Sequence, residues 1–208
     1  MYGLLLDKFS TDLYSTHNTN SSHNQKYICH LTKIIIMKTI TKLRILYPVW
    51  TVISIFSLLY APTLASESTL FKVSQLGQIV VQVFQIVIAL LLYKLFMESD
   101  KEQSSLIVVF GLLGVPFSMM AIIMPEAMHL AEVFWGLWLI PIGTLVIKSG
   151  MFPKWIGYLL YVGSLGYLGA TVSYFLIGYV PSFVDYFTMG EIVWVIWITF
   201  VGAKKVQN

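Results

Sequence analysis

Six apolar runs dominate the sequence, and they restrict the fold more than any other feature. Each run is about 20 residues long, which as a helix crosses roughly 30 Å of hydrocarbon. Backbone polar groups cannot stay unpaired in lipid, so runs of this kind must be helical. The runs are Leu46–Leu64, Leu76–Phe96, Ser105–Met124, Ala131–Ile147, Ile156–Ile177 and Tyr186–Ala203. The sequence therefore predicts an all-α, polytopic membrane protein with a bundle of six transmembrane helices.

The distribution of basic residues predicts the orientation of this bundle. Twelve of the 13 Lys and Arg residues fall in the N-terminal tail, after the second run, after the fourth run, or at the C-terminus. Only Lys72 falls in one of the three alternate loops. Cytoplasmic loops are enriched in Lys and Arg. We therefore expect both termini to be cytoplasmic (N-in/C-in) in an inner membrane, with membrane lipids as partners of the basic residues.

The segments outside the runs are short, and we predict one membrane domain at residues 43–203 with a cytoplasmic tail at 204–208. Residues 1–42 form a tail predicted to be disordered, because Ser, Thr, Asn and His dominate from Ser10 to His30. Met37 opens a short basic stretch before the first run, which is typical of a membrane-protein start. Residues 1–36 are thus interpreted as an over-extended reading frame. N-terminal sequencing tests this, and peptides from residues 1–36 would contradict it.

The first run has a second interpretation. A basic segment, an apolar run and Pro62-Thr63-Leu64-Ala65 before Ser66 resemble a cleavable signal peptide. The apolar stretch from Ile45 to Tyr60 is long for such a signal and contains Trp50. On this length criterion a retained helix is favoured. The other five helices keep their orientation in either case.

Composition and motifs exclude several functional classes. Charged residues make up 11% of the chain, far below the quarter or so of soluble proteins, and the net charge of +3 comes from residues flanking the runs. Nucleic acid is therefore not an expected partner. The single cysteine, Cys29, excludes an intrachain disulfide and a Cys-based metal site. The sequence contains no nucleotide-binding Gly loop, HExxH or CxxC motif and no Ser-His-Asp set, so no cofactor is expected.

Four glutamines form a stripe on the second predicted helix. Spacings of 3, 4 and 3 residues put the four amides on one helical face, in the half that the topology assigns to the outer leaflet. Amides facing lipid are costly, so the stripe should face other helices or water. The stripe consists of Gln75, Gln78, Gln82 and Gln85. The last three are candidate ligand-binding residues, although interhelical packing also explains such amides.

Acidic residues are also predicted to lie in the outer half of the bundle. Glu191 lies about five residues, or roughly 8 Å, inside the sixth predicted run, where an ionisable group is a functional-site candidate. Glu132 and His129, at the start of the fourth run, complete the candidate set. The spacing of Glu126, His129 and Glu132 is like that of metal ligands, but loop polarity and the dipole of the helix explain it, so no metal is predicted.

The central part of the chain resembles the domain of unknown function family 4386. The matching features lie mostly between residues 132 and 168, and the resemblance extends over about 43–203. They are Phe134, Gly136, Gly143, Lys148-Ser149-Gly150, Pro153, Gly157 and Gly166-Tyr167-Leu168, together with Ala89–Tyr93 at the end of the second run. The resemblance implies a bacterial six-helix membrane protein with no established activity.

Three functional hypotheses follow. The first is binding or transport of a small polar or cationic solute, with an outward-facing pocket among helices 2, 4 and 6 built on Glu191 and the glutamine stripe. The second is a structural or sensory envelope protein in which these groups only hold helices together. An intramembrane enzyme ranks last, because the runs contain no recognisable nucleophile or metal set. The sequence indicates neither a specific ligand nor an oligomeric state.

Overall fold

All regular elements are helical in the computed structural model, which describes residues 32–60 and 68–203. Six of the helices in these ranges are long and apolar enough to cross a membrane. The prediction of an all-α, six-helix architecture is confirmed, and the chain is a multi-pass membrane protein. The tail up to residue 31, the cleavage-like motif Pro62-Thr63-Leu64-Ala65 and the tail 204–208 lie outside the described residues.

The helices are α1 (Thr32–Leu58), α2 (Thr69–Phe96), α3 (Lys101–Met120), α4 (Met128–Ser149), α5 (Lys154–Ile177) and α6 (Ser182–Phe200). α1 runs into a π-helical segment, Ile55–Tyr60, and a 3₁₀ turn, Pro125–Ala127, precedes α4. α1 begins at Thr32, inside the segment for which the sequence predicts disorder. By contacts the chain divides into Met1–Lys38 and Thr39–Asn208, and the packing described below belongs to the second unit.

Local signals account for several helix ends. The Ser68 hydroxyl accepts a hydrogen bond from the Phe71 amide, and the Asp100 carboxylate accepts one from the Gln103 amide. These side chains satisfy amides that the first turns of α2 and α3 leave free. α4 and α5 end at Gly150 (φ 65°) and Gly178 (φ 80°), left-handed positions that glycine adopts without steric cost.

Each helix packs against its neighbours in the chain, and α1 also contacts α6. The Arg44 guanidinium donates to the carbonyl oxygens of Thr199 (2.9 Å) and Phe200 (3.1 Å) at the end of α6. Further along, the Trp194 indole donates to the Tyr47 hydroxyl at 2.9 Å. The part of α1 around Arg44 and the end of α6 therefore lie side by side, and the helices of the second unit form a closed series in chain order.

Small residues set the distances between α4, α5 and α6. A Cβ atom at Gly143 would come within 2.9 Å of the Gly157 carbonyl oxygen on α5. A Cβ atom at Gly190 on α6 would overlap the Leu159 carbonyl oxygen. Such contacts let helix backbones approach closely. α5 is consequently packed backbone to backbone against α4 on one side and α6 on the other.

We call the end where α2, α4 and α6 finish the basic end, since it includes Lys94, Lys101, Lys148 and Lys154. There the Lys148 ammonium donates to the Asp100 carboxylate at 2.8 Å. This hydrogen bond and the positive charge lower the pKa of the Asp100 carboxyl below its usual value. The pair joins the α2–α3 turn to the end of α4.

Candidate functional site

Glu191 lies deeper in the bundle than its sequence position suggests. α6 begins at Ser182, directly after Pro181, so Glu191 is nine residues (191 − 182) into the helix, or about 14 Å along its axis. The hydropathy pattern places the start at Tyr186 because Ser182 and Asp185 are polar. In the structure the helix starts directly after the proline, since a proline is tolerated at a helix start and polar residues can occupy the first turn. Glu191 is therefore near the middle of its span.

The partner of Glu191 is Tyr167, on α5. The Tyr167 hydroxyl donates to Glu191 Oε2 at 2.7 Å, the short distance expected of a bond to a carboxylate. Glu191 Oε1 receives no hydrogen bond among the described residues, and the side chain is half-buried. The ion pairs in the described part of the chain are His129–Glu132 and Lys148–Asp100, so neither supplies a positive partner to Glu191.

The glutamines of the stripe differ in their contacts. Gln78 donates to the Ser57 carbonyl oxygen at 3.2 Å, in the π-helical segment of α1. Gln78 therefore holds α1 against α2. Gln82 and Gln85 are each 3% exposed, and Gln82 Oε1 and Gln85 Nε2 are buried without a hydrogen-bond partner in the described structure. Buried polar groups are normally satisfied, so these two amides indicate water or another group between the helices.

Contacts between successive helices place Gln85 and Glu191 at similar depth. A Cβ atom at Gly111 would touch Ala89 at 3.2 Å, and one turn away a Cβ atom at Gly114 would touch Trp135 at 3.3 Å. Because α2 and α3 are antiparallel, Gln85 lies at the level of Gly114. Trp135 in turn packs against Tyr167 with ring centroids 5.9 Å apart. We call Gln85, Trp135, Tyr167 and Glu191 the polar layer.

His129 and Glu132 form a separate pair near the start of α4, at the end opposite the basic end. His129 Nδ1 is 2.9 Å from Glu132 Oε2, and the two side chains are 21% and 18% exposed. The His129 ring stacks on Tyr174 with centroids 3.8 Å apart. Trp135, one turn after Glu132 on α4, packs against the Tyr167 ring. The pair thus reaches from partly exposed positions towards the polar layer.

Four aromatic rings fill the bundle between Glu191 and the basic end, and we call them the aromatic floor. Ring centroids are 6.0 Å apart between Phe96 and Phe152, 5.0 Å between Phe152 and Trp194, and 6.5 Å between Trp194 and Tyr47. Each side chain is at most 3% exposed. Phe152 belongs to the α4–α5 connection, so this turn extends a ring into the bundle.

The structure thus divides five of the six candidate residues among three places: Glu191 beside Tyr167, Gln82 and Gln85 on α2, and His129 beside Glu132. The sixth, Gln78, makes the contact between α1 and α2. Sequence reasoning missed Tyr167 and Phe152. Tyr167 entered the sequence analysis only as part of the family resemblance, and Phe152 did not enter it. For Tyr167, the available signal was a hydroxyl group in the middle of an apolar run. For Phe152, the signal was two large apolar residues, Met151 and Phe152, in a short connection between helices.

The two tryptophans that follow Glu191 on α6 have partners outside the polar layer. Trp194 lies one turn beyond Glu191 and its indole donates to the Tyr47 hydroxyl, while Trp197 packs against Trp155. Glu126 is exposed. Over residues 32–60 and 68–203, no three His, Cys, Asp or Glu side chains come together as they would around a metal ion.

Residues 125–202 match the family described as "Domain of unknown function (DUF4386)". The recognition of this family from sequence is therefore confirmed for that segment. A relative from Archaeoglobus fulgidus, described as an uncharacterized protein, is 28% identical over 138 residues, which cover 63% of this chain and 85% of the relative. No solved structure matches the chain. The matched segment contains Glu132, Tyr167, Glu191 and Phe152, but not α1, α2 or their polar residues.

Proposed function

We propose, taking the match of residues 125–202 to the DUF4386 family as the starting point, that this membrane protein binds a small cationic solute at the polar layer. The observation that carries the proposal is the Glu191 carboxyl group, which lies mid-span, accepts one hydrogen bond from Tyr167, and has no cationic side-chain partner among the described residues. A bound cation would supply the missing charge.

The physical cost of this arrangement supports a binding role. An ionisable side chain at mid-span costs about 2.5–3.5 kcal/mol on insertion scales, and such residues usually face a cavity or a partner. The Tyr167 phenol adjoins the carboxyl group, and the Trp135 indole packs edge to face against that phenol at an interplanar angle of 77°. Aromatic rings beside a carboxylate favour an organic cation over a strongly hydrated one. The unpaired amides of Gln82 and Gln85 provide further polar groups in the same part of the bundle.

The aromatic floor favours binding over passage. Phe96, Phe152 and Trp194 occupy the space between Glu191 and the basic end with almost no exposure. A solute at Glu191 would therefore enter and leave at the opposite end, past His129 and Glu132. The alternative of a purely structural protein accounts for Gln78, whose amide bonds to α1. It leaves the Glu191 carboxyl group without a cationic partner among the residues that the structure describes.

The proposal includes an orientation: the basic end faces the cytoplasm across an inner membrane, so that the site opens outward. Its support is the positive-inside distribution of Lys and Arg. With Cys29 replaced by serine, Lys72→Cys should react with a membrane-impermeant maleimide on intact cells, whereas Lys154→Cys should react only after permeabilisation. Both side chains are exposed, which makes them a matched pair. The reverse labelling pattern would overturn the orientation.

Binding is tested by thermal unfolding of the purified protein in detergent, with methylammonium or tetramethylammonium chloride compared with sodium chloride at equal ionic strength. A ligand at a hundred times its Kd stabilises the native state by about 2.7 kcal/mol, a rise of several degrees in Tm for a chain of this size. We expect wild-type protein to gain this stability with at least one of the two organic cations, and Glu191→Gln to lose the gain.

Glu126→Gln is the matched control, because it removes the same charge from an exposed position outside the polar layer. This variant should respond to the cation as wild type does. The proposal is wrong if neither organic cation stabilises wild type beyond sodium, or if Glu191→Gln responds as strongly as the control.

A further inference from the structure

Protonatable groups extend from the end of the bundle opposite the basic end to Glu191. His129 is the first, with its imidazole partly exposed and its Nδ1 atom 2.9 Å from Glu132 Oε2. The Thr171 hydroxyl donates to the His129 carbonyl oxygen at 2.8 Å, and Tyr174 stacks on the ring. The imidazole is therefore held in one orientation towards Glu132.

Tyr167 lies between the two carboxyl groups along the contact of α4 with α5. Its hydroxyl donates to Glu191 Oε2 at 2.7 Å. Trp135, one turn after Glu132 on α4, packs against the Tyr167 ring, and the backbone of His129, one turn before Glu132, bonds to Thr171. A phenolic hydroxyl can donate one hydrogen bond and accept another at the same time. This property allows Tyr167 to pass a proton to one carboxyl group while it receives one from the other.

The groups that face Glu191 from the other helices do not provide a second route. On α1, Tyr47 lies within electrostatic range of Glu191, but its hydroxyl already accepts the Trp194 indole N–H and it is 1% exposed. α2 contributes only the amides of Gln82 and Gln85 at this depth. Tyr167 faces Glu191 from α5, and Glu132, on α4, is the acidic group beyond it. The aromatic floor separates all of them from the basic end.

We infer that His129, Glu132 and Tyr167 form a proton relay that connects Glu191 to the solution at the end opposite the basic end. A hydronium ion protonates His129 Nε2, and His129 Nδ1 gives its proton to Glu132. Glu132 then protonates the Tyr167 oxygen through a bridging water, as Tyr167 gives its own hydroxyl proton to Glu191 Oε2. One proton is transferred in total, and the reverse sequence returns it.

The relay goes beyond the proposed function, because proton exchange at Glu191 requires no other ligand. Where the proposed cation also binds, proton and cation would compete for the same carboxyl group. Acidification would then weaken cation binding, since a protonated Glu191 carries no charge to attract the cation.

Infrared spectroscopy of the purified protein in detergent, with no organic cation present, tests the relay. The C=O stretching band of the protonated Glu191 carboxyl group should grow on acidification and should be absent from Glu191→Gln. On transfer to D₂O this band should shift rapidly in wild type. In Tyr167→Phe and Glu132→Gln the shift should be on the order of a hundredfold slower.

Glu126→Gln, which alters an exposed carboxyl group outside the relay, should exchange at the wild-type rate. Exchange at the wild-type rate in both Tyr167→Phe and Glu132→Gln would overturn the relay, and so would the absence of a pH-dependent Glu191 band. The stabilisation of wild type by tetramethylammonium is measured independently. If the relay fails while that stabilisation persists, the proposed function stands without the relay. If the stabilisation is absent while exchange slows in the two variants, the relay stands without cation binding.

Discussion

Gly190→Ala is expected to lower the stability of the bundle sharply. Alanine normally stabilises a helix relative to glycine, by about 1 kcal/mol. At Gly190 the added Cβ atom would overlap the Leu159 carbonyl oxygen, which belongs to the backbone of α5 and cannot rotate away. α5 and α6 must therefore move apart, at a cost of about 1–3 kcal/mol or more. Thermal unfolding in detergent should show a Tm several degrees below wild type.

The same movement has a functional consequence. The hydrogen bond from Tyr167 joins α5 to Glu191, the residue that follows Gly190 on α6, so a shift of α6 away from α5 lengthens or breaks it. Gly190→Ala should therefore also lose the stabilisation by organic cations expected of wild type.

Gly169→Ala provides the control on the same pair of helices. Its nearest neighbour across the contact would be Val184 Cγ1 at 3.7 Å, an ordinary van der Waals distance. This variant should be as stable as wild type or slightly more stable, because only the helix preference of alanine acts. Equal stability of the two variants would mean that the close approach at Gly190 does not hold α5 against α6.

Phe152→Ala is the second change with a large expected effect. The Phe152 ring lies between Phe96 and Trp194 and is 3% exposed, although it comes from a connecting turn. Truncating a buried phenylalanine costs about 3–5 kcal/mol, because the lost contacts leave a cavity. The expected result is a lower Tm together with a changed tryptophan emission, since Trp194 would lose one of its two ring neighbours.

Phe183→Ala makes the same chemical change at a side chain that is 62% exposed. It should leave the Tm close to that of wild type, because no interior contact is removed. If Phe152→Ala is no less stable than Phe183→Ala, the four rings do not form a packed floor. Passage of a solute from Glu191 to the basic end would then no longer be disfavoured.

The number of helices and their type could be predicted from the sequence, because they depend on local properties. An apolar run such as Leu76–Phe96 has the length to cross a bilayer whatever it packs against, and lipid allows it no unpaired backbone. The positions of the helix ends were harder to predict from hydropathy. α6 begins at Ser182 rather than Tyr186, because its first turn includes polar residues and starts directly after Pro181.

The candidate site was predicted in part. Glu191 was identified because a carboxyl group inside an apolar run is energetically costly. This cost depends only on the residue and its sequence neighbours, so it is visible without a structure. Its pairing with Tyr167 could not be read in the same way. The hydrogen bond depends on how α5 and α6 are rotated and aligned, and the contacts of Gly163, Gly166 and Gly190 set that alignment.

The glutamine stripe shows the same division. Helical spacing put Gln78, Gln82 and Gln85 on one face, but it could not distinguish among them. The π-helical segment of α1 brings the Ser57 carbonyl oxygen to Gln78, whereas Gln82 and Gln85 stay without a partner in the described structure. The sequence by itself determined that the chain crosses a membrane as helices and which costly polar groups it carries. Only the tertiary structure decided which of those groups are paired, because pairing depends on the distance between backbones and not on the composition of any one helix.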